Sequence, residues 1–168
     1  YNNDQSYTMS SKFTISFWIK ITEQNGGYIP IIRWGDSTGS TTDYTFLGFN
    51  DQPKNNIIMN SKVSSVVIDV ESTAHTPINS WNHVMWTGEG KVDAQTKFFL
   101  NGKETDISYN IGGPSSGMQR IDNAGQFYMG LGPGGSYSNQ FLLSDFYLVE
   151  SMRCIPEDFC KYENGKLV

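Results

Sequence analysis

The sequence predicts an all-β fold, an antiparallel two-sheet β-sandwich of the jelly-roll type. Segments in which apolar and polar residues alternate recur through most of the 168 residues, and this period of two is typical of strands with one buried face. Turn-forming residues separate these segments roughly every eight to fifteen residues. No long segment has the spacing of an amphipathic helix, so the strands are expected to bury their apolar faces against each other in two layers.

The clearest alternation lies at residues 13–20. Phe13 and every second residue up to Ile19 are apolar, whereas the intervening positions are polar apart from Trp18. This pattern predicts a strand with an apolar inner face and one large aromatic side chain on its outer face.

Residues 81–86 and 98–107 predict three more strands around a tight turn. In the first run, Trp81, His83 and Met85 point to one face of the strand. The alternate residues Asn82, Val84 and Trp86 point to the other face. The second run contains Asn101-Gly102, a pair that favours a type I′ turn because both central positions need positive φ. The chain after Lys103 is therefore expected to return as an antiparallel partner.

The remaining strands are predicted from shorter runs between turns. They lie at residues 6–10, 28–34, 44–49, 57–60, 64–70, 126–130 and 141–149. Residues 71–80 are expected to form a connection. Pro156 and the acids that follow it predict one helical turn at 156–160, because both favour a helix start. The expected total is about ten to twelve strands.

Length and charge indicate a single domain over residues 1–168, expected to come from a longer chain. A chain of this length can bury about 70% of its unfolded surface, so it needs no covalent staples. The net charge is −5 and the basic residues are scattered, which argues against binding to nucleic acid or to an anionic membrane. No apolar run is long enough for membrane insertion.

Cys154 and Cys160 lie close together in the sequence, on either side of Pro156. Their spacing is not that of a zinc site, and no pair of histidines accompanies them. A short-range disulfide and two free thiols both fit this pattern.

Six motifs, in order along the chain, resemble laminin-G-like jelly rolls of the concanavalin A-like lectin/glucanase superfamily. They are FTISFWIK at 13–20, SWNHV at 80–84, FLNGK at 99–103, Met129-Gly130, LSDFYL at 143–148 and CIPEDF at 154–159. Asn101 stands where the family usually has Asp. The resemblance implies two sheets of six or seven strands, one of them concave. The tail motif is also similar to such domains in phage and virus structural proteins.

The acidic residues do not match the catalytic pattern of the glucanases in this superfamily. Those enzymes place Glu-x-Asp-x-x-Glu on one strand, whereas Asp69-Val-Glu71 lacks a third acid. His83 is expected to be structural, with its imidazole bonded to neighbouring backbone, and His75 to be solvated. The chain is therefore predicted not to be an enzyme, since hydrolysis needs two carboxyl groups that flank one bond.

Aromatic side chains with nearby amides and hydroxyls indicate a carbohydrate-binding surface. The ring stacks on the C–H side of a sugar and the polar groups bind its hydroxyls. Trp86 and Tyr109 belong to the wider aromatic set, whereas Trp18 and Trp81 are expected to be packed. The predicted ligand-binding residues are Trp34, Tyr44, Tyr128, Tyr137 and Asn139. The alternative for each is packing in the core or at a sheet edge.

The resemblance also implies one Ca²⁺ at the rim of the sandwich, bound by hard oxygen ligands. Asp36 and Asp43 are the predicted metal ligands. The alternative is that they are ordinary turn aspartates.

These observations predict a non-catalytic, lectin-like domain on an extracellular or virion surface, with a glycan or surface polysaccharide as its partner. The alternative is a structural, oligomerisation or protein-binding domain of a viral or adhesive particle, in contact with other structural proteins.

Overall fold

A computed structural model describes residues 12–23, 29–35, 43–50, 55–63, 66–88, 96–111, 126–130, 141–163 and 166–167. The strands in these ranges are β1 (Phe13–Ile21), β2 (Ile29–Gly35), β3 (Asp43–Phe49), β4 (Asn56–Val63), β5 (Val66–His75), β6 (Asn82–Gly88), β7 (Lys97–Leu100), β8 (Lys103–Thr105), β9 (Ile107–Ile111), β10 (Gln126–Met129), β11 (Phe141–Glu150), β12 (Tyr162–Glu163) and β13 (Lys166–Leu167). No helix in the described ranges is long and apolar enough to cross a membrane.

Eleven of these strands form two antiparallel sheets. The five-stranded sheet has the order β11-β1-β6-β7-β8, and the six-stranded sheet has the order β10-β2-β3-β4-β5-β9. The predicted fold class, an antiparallel two-sheet sandwich, is confirmed. The expected six or seven strands per sheet is wrong for the five-stranded sheet as described, and the strand predicted at 6–10 lies outside the described residues.

The core lies between the two sheets and is built by the alternation read from the sequence. In β1, every second residue from Phe13 to Ile21 is buried in it. Trp86 of β6 is 0% exposed. Its ring meets Phe13 edge-on at 4.7 Å between centroids and lies 6.0 Å from the ring of Phe98. Aromatic pairs in these geometries add to the stabilisation that comes from buried area.

The predicted boundary between strand and connection at residue 71 is wrong. β5 continues to His75, because its backbone pairs on both sides. Glu71 lies opposite Ile58 of β4 and opposite Ser108 of β9. These two ladders satisfy the backbone hydrogen bonds of a polar segment that its composition alone assigns to a loop.

The turn between β7 and β8 confirms the prediction from Asn101-Gly102. The two residues have φ angles of 51° and 78°, as the predicted turn type requires. The side chain of Asn101 accepts a hydrogen bond from the His83 backbone N–H at 2.9 Å and donates one to Asn82 Oδ1 at 3.0 Å. Asparagine at this position therefore ties the turn to β6.

Residues 151–163, which we call the C-terminal segment, pack on the outer face of the five-stranded sheet. The Cys154 N–H donates to Thr14 Oγ1 at 2.9 Å, and the rings of Phe159 and Tyr147 are 5.4 Å apart. The predicted helical turn is confirmed as a 3-10 helix at Pro156–Asp158. Both cysteines are buried free thiols, so the free-thiol alternative is the one observed.

Gly48→Ala is expected to lower the free energy of unfolding by at least about 2 kcal/mol. A Cβ at position 48 would lie 2.2 Å from the carbonyl oxygen of Ile29 in β2, and a backbone atom can move away only if the sheet distorts. Urea denaturation would measure the loss, with Thr73→Ala at an exposed strand position as the control. Equal stability of the two variants would contradict the close approach of β2 and β3.

Candidate functional site

The outward face of the six-stranded sheet gathers side chains that alternate with core residues. Each of Ile32, Leu47, Met59 and Val70 belongs to the core, so their strand neighbours point away from it. The pairing of five strands places these neighbours in one row across the sheet. In order, the row is Tyr128, Arg33, Phe46, Asn60 and Asp69.

The first half of this row is an aromatic cluster around a buried cation. The guanidinium carbon of Arg33 lies 5.5 Å from the centroid of the Tyr44 ring, and Tyr44 stacks on Phe46 with 6.1 Å between centroids. Arg33 is 1% exposed. Burial lowers the pKa of its guanidinium, while Tyr128 and Tyr44 act in the opposite direction. Arginine nevertheless keeps its charge in proteins, so it supports the half-buried Tyr44 as a fixed cation–π partner, and Tyr128 lies opposite it in the sheet.

Beside the other end of the row, two residues beyond Asp69, an amide–carboxylate cluster is centred on Glu71. Its Oε1 accepts hydrogen bonds from Nδ2 of Asn50 at 3.1 Å and from Nδ2 of Asn56 at 2.6 Å. Its Oε2 accepts one from Nδ2 of Asn110 at 3.1 Å. Hydrogen bonds to an ionised group are shorter and stronger than those between neutral groups. The carboxylate therefore holds three separate parts of the chain together on this face.

Asp69 and Asn60 lie opposite each other beside this cluster. Burial raises the pKa of the Asp69 carboxyl, and the charge of Glu71 raises it further, against the effect of a hydrogen bond from Asn110. The Oδ1 atoms of Asn60 and of Asn56 are buried and accept no hydrogen bond within the described part of the chain. A buried acceptor without a donor is costly, so this half of the face has acceptor capacity to offer.

The structure brings together two of the five predicted ligand-binding residues. Tyr44 and Tyr128 lie on the same outward face, on either side of Arg33. Trp34 lies in β2 opposite Thr45, but its side chain is outside the described residues. Tyr137 and Asn139 lie entirely outside them, so their roles stay predictions.

The predicted calcium ligands are not covered by the described side chains. Asp36 lies outside the described residues, and Asp43 is described only through its backbone at the start of β3. Within the described ranges, no group of three or more His, Cys, Asp or Glu side chains could hold a metal ion. Calcium binding at Asp36 and Asp43 therefore stays a prediction.

Two residues of the wider aromatic set take the packing alternative, and one expectation about a tryptophan is wrong. Trp86 is a core residue, and Tyr109 packs against the core. Trp81, expected to be packed, is 45% exposed because it precedes β6 and lies outside its paired region. Trp18 is half-buried, with its ring 5.4 Å from that of His83.

Sequence reasoning missed Arg33, Asn60 and the three asparagines around Glu71. Arg33 interrupts an otherwise apolar strand, and a lone charge in such a run is a signal that could have marked the position. The asparagines had no such signal, since they are far apart in sequence and resemble ordinary turn residues.

His83 is held by side chains, not by backbone, so the expected backbone contacts of its imidazole are wrong. Its Nε2 lies 2.8 Å from Ser16 Oγ and its Nδ1 lies 3.7 Å from Cys160 Sγ. The ring is fully buried, and burial lowers its pKa to about 4. Its position beneath the C-terminal segment fits the predicted structural role. His75 is exposed, as expected.

Solved structures with a similar fold include a neurotoxin, a sialidase module and a pentraxin. A botulinum neurotoxin type C structure, described as interacting with two ganglioside molecules, has a TM-score of 0.59 and 18% identity, covering 90% of this chain and 35% of that chain. The CBM40 module of the Ruminococcus gnavus IT-sialidase, bound to α2,6 sialyllactose, has a TM-score of 0.56 and 14% identity, covering 90% and 82%. The heptameric SAP-like pentraxin of Limulus polyphemus has a TM-score of 0.53 and 18% identity, covering 86% of this chain and 66% of that chain. At these identities the likeness shows the fold alone.

A search of curated protein sequences found no significant match. The family comparison is more informative, because a laminin-G-type model matches residues 2–153, nearly the whole chain. This match agrees with the two-sheet architecture and with the order of its motifs. The chain belongs to the concanavalin A-like lectin/glucanases superfamily.

Proposed function

We propose that this protein is a non-catalytic carbohydrate-binding domain that uses the outward face of its six-stranded sheet. The observation that carries the proposal is the row from Tyr128 to Asp69. It places tyrosine rings and an amide–carboxylate cluster on one surface. Sugars present C–H groups to aromatic rings and hydroxyls to amides and carboxylates, so a pyranose can use both halves of the face.

The solved structures support this proposal through their fold. One similar module binds sialyllactose, and the similar neurotoxin domain interacts with gangliosides. Fold alone does not determine function, so the argument depends on the side chains of this chain.

The acid pair on β5 supports the non-catalytic part of the proposal. Asp69 and Glu71 project from the same face of one strand, and Glu71 is held by three amide donors. A glycoside hydrolase needs two carboxyl groups on either side of the scissile bond. The pair also lacks the third acid of the Glu-x-Asp-x-x-Glu pattern that the superfamily's glucanases place on one strand.

The proposal places the domain on an extracellular or virion surface, where it would bind a glycan or surface polysaccharide. It includes Ca²⁺ as a cofactor at Asp36 and Asp43. A glycan array probed once with Ca²⁺ and once with EDTA separates the two modes. Binding lost in EDTA supports a metal-assisted site, whereas binding that survives EDTA supports the sheet face alone.

Tyr44→Ala is expected to weaken glycan binding at least about tenfold, since an aromatic anchor that the ligand covers carries much of the energy of a binding site. The array identifies a ligand, and isothermal titration calorimetry then measures its Kd. Tyr147→Ala is the matched control, because Tyr147 is an exposed tyrosine on the outer face of the other sheet. Equal losses in the two variants would contradict the assignment of the face, and an array without hits in both conditions would contradict carbohydrate binding.

A structural or protein-binding role is the second candidate, favoured by exposed apolar side chains near the C-terminal segment. Tyr147, Met152, Ile155 and Tyr162 are all exposed, and exposed apolar groups mark contact surfaces when they cluster. Light scattering distinguishes the candidates. A dimer or trimer without glycan binding supports a structural domain, whereas a monomer that binds oligosaccharide supports the carbohydrate-binding domain.

A further inference from the structure

We infer that the outward face selects neutral glycans, whose hydroxyls donate hydrogen bonds, and rejects glycans that carry a carboxylate near the bound sugar. The inference rests on the proposed carbohydrate-binding function and names the class of ligand for the same face. Asn60, Asp69 and Glu71 are the residues that determine the selection.

The outward face contains side-chain hydrogen-bond acceptors that lack donors within the described residues. Asn60 lies in the middle of the row across the sheet, and its buried Oδ1 accepts no hydrogen bond within the described residues. Asn56 is 5% exposed, and its Oδ1 is also buried and accepts no hydrogen bond within the part of the chain that the structure describes. Its Nδ2 donates a hydrogen bond to Glu71 Oε1 at 2.6 Å. Buried acceptors without donors favour a ligand that brings donors. A sugar hydroxyl is such a donor.

Two neighbouring carboxyl groups give this part of the face a negative character. Glu71 lies two residues beyond Asp69 on the same face of β5, and at this spacing the charge of Glu71 raises the pKa of the Asp69 carboxyl. A ligand carboxylate bound beside them would add a third negative group to a partly buried site. Like charges in such a site repel each other strongly, because solvent screens them poorly.

The cation of this face is buried. Arg33 is 1% exposed and its guanidinium packs on the Tyr44 ring. A guanidinium at this exposure is not accessible to a ligand. The partly exposed groups of the face include the rings of Tyr44 and Tyr128 and the carboxylate of Glu71, and this combination suits an uncharged polyol better than an acid.

The expected ligand class differs from the ligand of the similar CBM40 module, which is bound to α2,6 sialyllactose. The fold accommodates both behaviours because the ligand class depends on side chains, and only 14% of residues are identical between the two chains. Matched glycans that differ in one terminal sialic acid therefore test the inference directly.

The experiment uses the complete chain on an array of paired glycans, each neutral glycan beside its sialylated form, with Kd values then measured for the best pair. We expect the neutral member to bind at least about tenfold more tightly. Asp69→Asn removes one charge at constant size and is expected to reduce that ratio severalfold. Asp106→Asn, an exposed position in the connection from β8 to β9, is the charge-matched control and is expected to leave it unchanged.

Asn60→Ala is a second variant that tests the role of the acceptors, and it is expected to weaken binding of the neutral glycan without improving the sialylated one. Sialylated glycans that bind as tightly as their neutral partners would overturn the selectivity and leave the proposed function standing. An unchanged ratio in Asp69→Asn would overturn the role of the acid pair. An array without hits would overturn the proposed function together with this inference.

Discussion

Replacing Trp86 with alanine is expected to lower the free energy of unfolding by about 3–5 kcal/mol, the usual cost of removing a large aromatic side chain from a core. The ring is 0% exposed and contacts Phe13 of β1 and Phe98 of β7. The two strands that flank β6 in the five-stranded sheet, β1 and β7, would therefore lose a common packing partner. The cavity left behind adds to the lost transfer energy, because close-packed surroundings relax only partly.

Trp81 supplies a matched control for this experiment. It lies five positions earlier in the sequence and is 45% exposed, so Trp81→Ala is expected to cost less than about 1 kcal/mol. Urea denaturation followed by circular dichroism measures both variants. If Trp86→Ala fails to fold, Trp86→Phe should show an intermediate loss. Similar losses for the two tryptophans would contradict the core position of Trp86.

The second large effect is expected from protonation of His83. Its pKa in the folded protein is about 4, below the usual value of about 6.5 in an unfolded chain. The neutral ring is therefore favoured by folding. Its contribution is fully present above pH 6.5 and decreases as the pH falls from 6.5 towards 4. The loss of stability amounts to roughly 2–3 kcal/mol at the lower limit.

Denaturation curves at several pH values between 7.5 and 4 would measure this loss. Other groups titrate in the same interval, so the informative quantity is the difference between the wild type and His83→Gln, which has no imidazole. The variant is expected to be less stable at pH 7.5 and to approach the wild type as the pH falls. His75→Gln, at an exposed position, should retain the slope of the wild type. Parallel curves for wild type and His83→Gln would contradict the buried neutral ring.

The strands were predictable where the local pattern and the tertiary environment agree. The alternation from Phe13 to Ile19 appears in the structure as a strand with its apolar face in the core. The turn at Asn101-Gly102 was equally predictable, since positive φ is a local property of these residues. The continuation of β5 beyond residue 70 could not be predicted, because its pairing partners in β4 and β9 are distant in sequence.

The candidate site was predictable only in part. Tyr44 and Tyr128 were recognised by residue type, and the structure places them together beside Arg33. The asparagines that bind Glu71 could not be connected to it from the sequence, because Asn110 is 39 positions away and reaches Glu71 only through the pairing of β5 with β9.

The sequence by itself determined the fold class and the positions of most strands, because period-two alternation and turn chemistry are local properties. Its six motifs indicated the superfamily by resemblance, and the family match over residues 2–153 shows it. Only the tertiary structure decided which aromatic side chains are buried and which acids, amides and cations share a face. Trp81 and Trp86 belong to one short run, yet one is exposed and the other lies in the core. The physical reason is that burial depends on what packs against a strand, and cross-strand register assembles that surface from segments far apart in the chain.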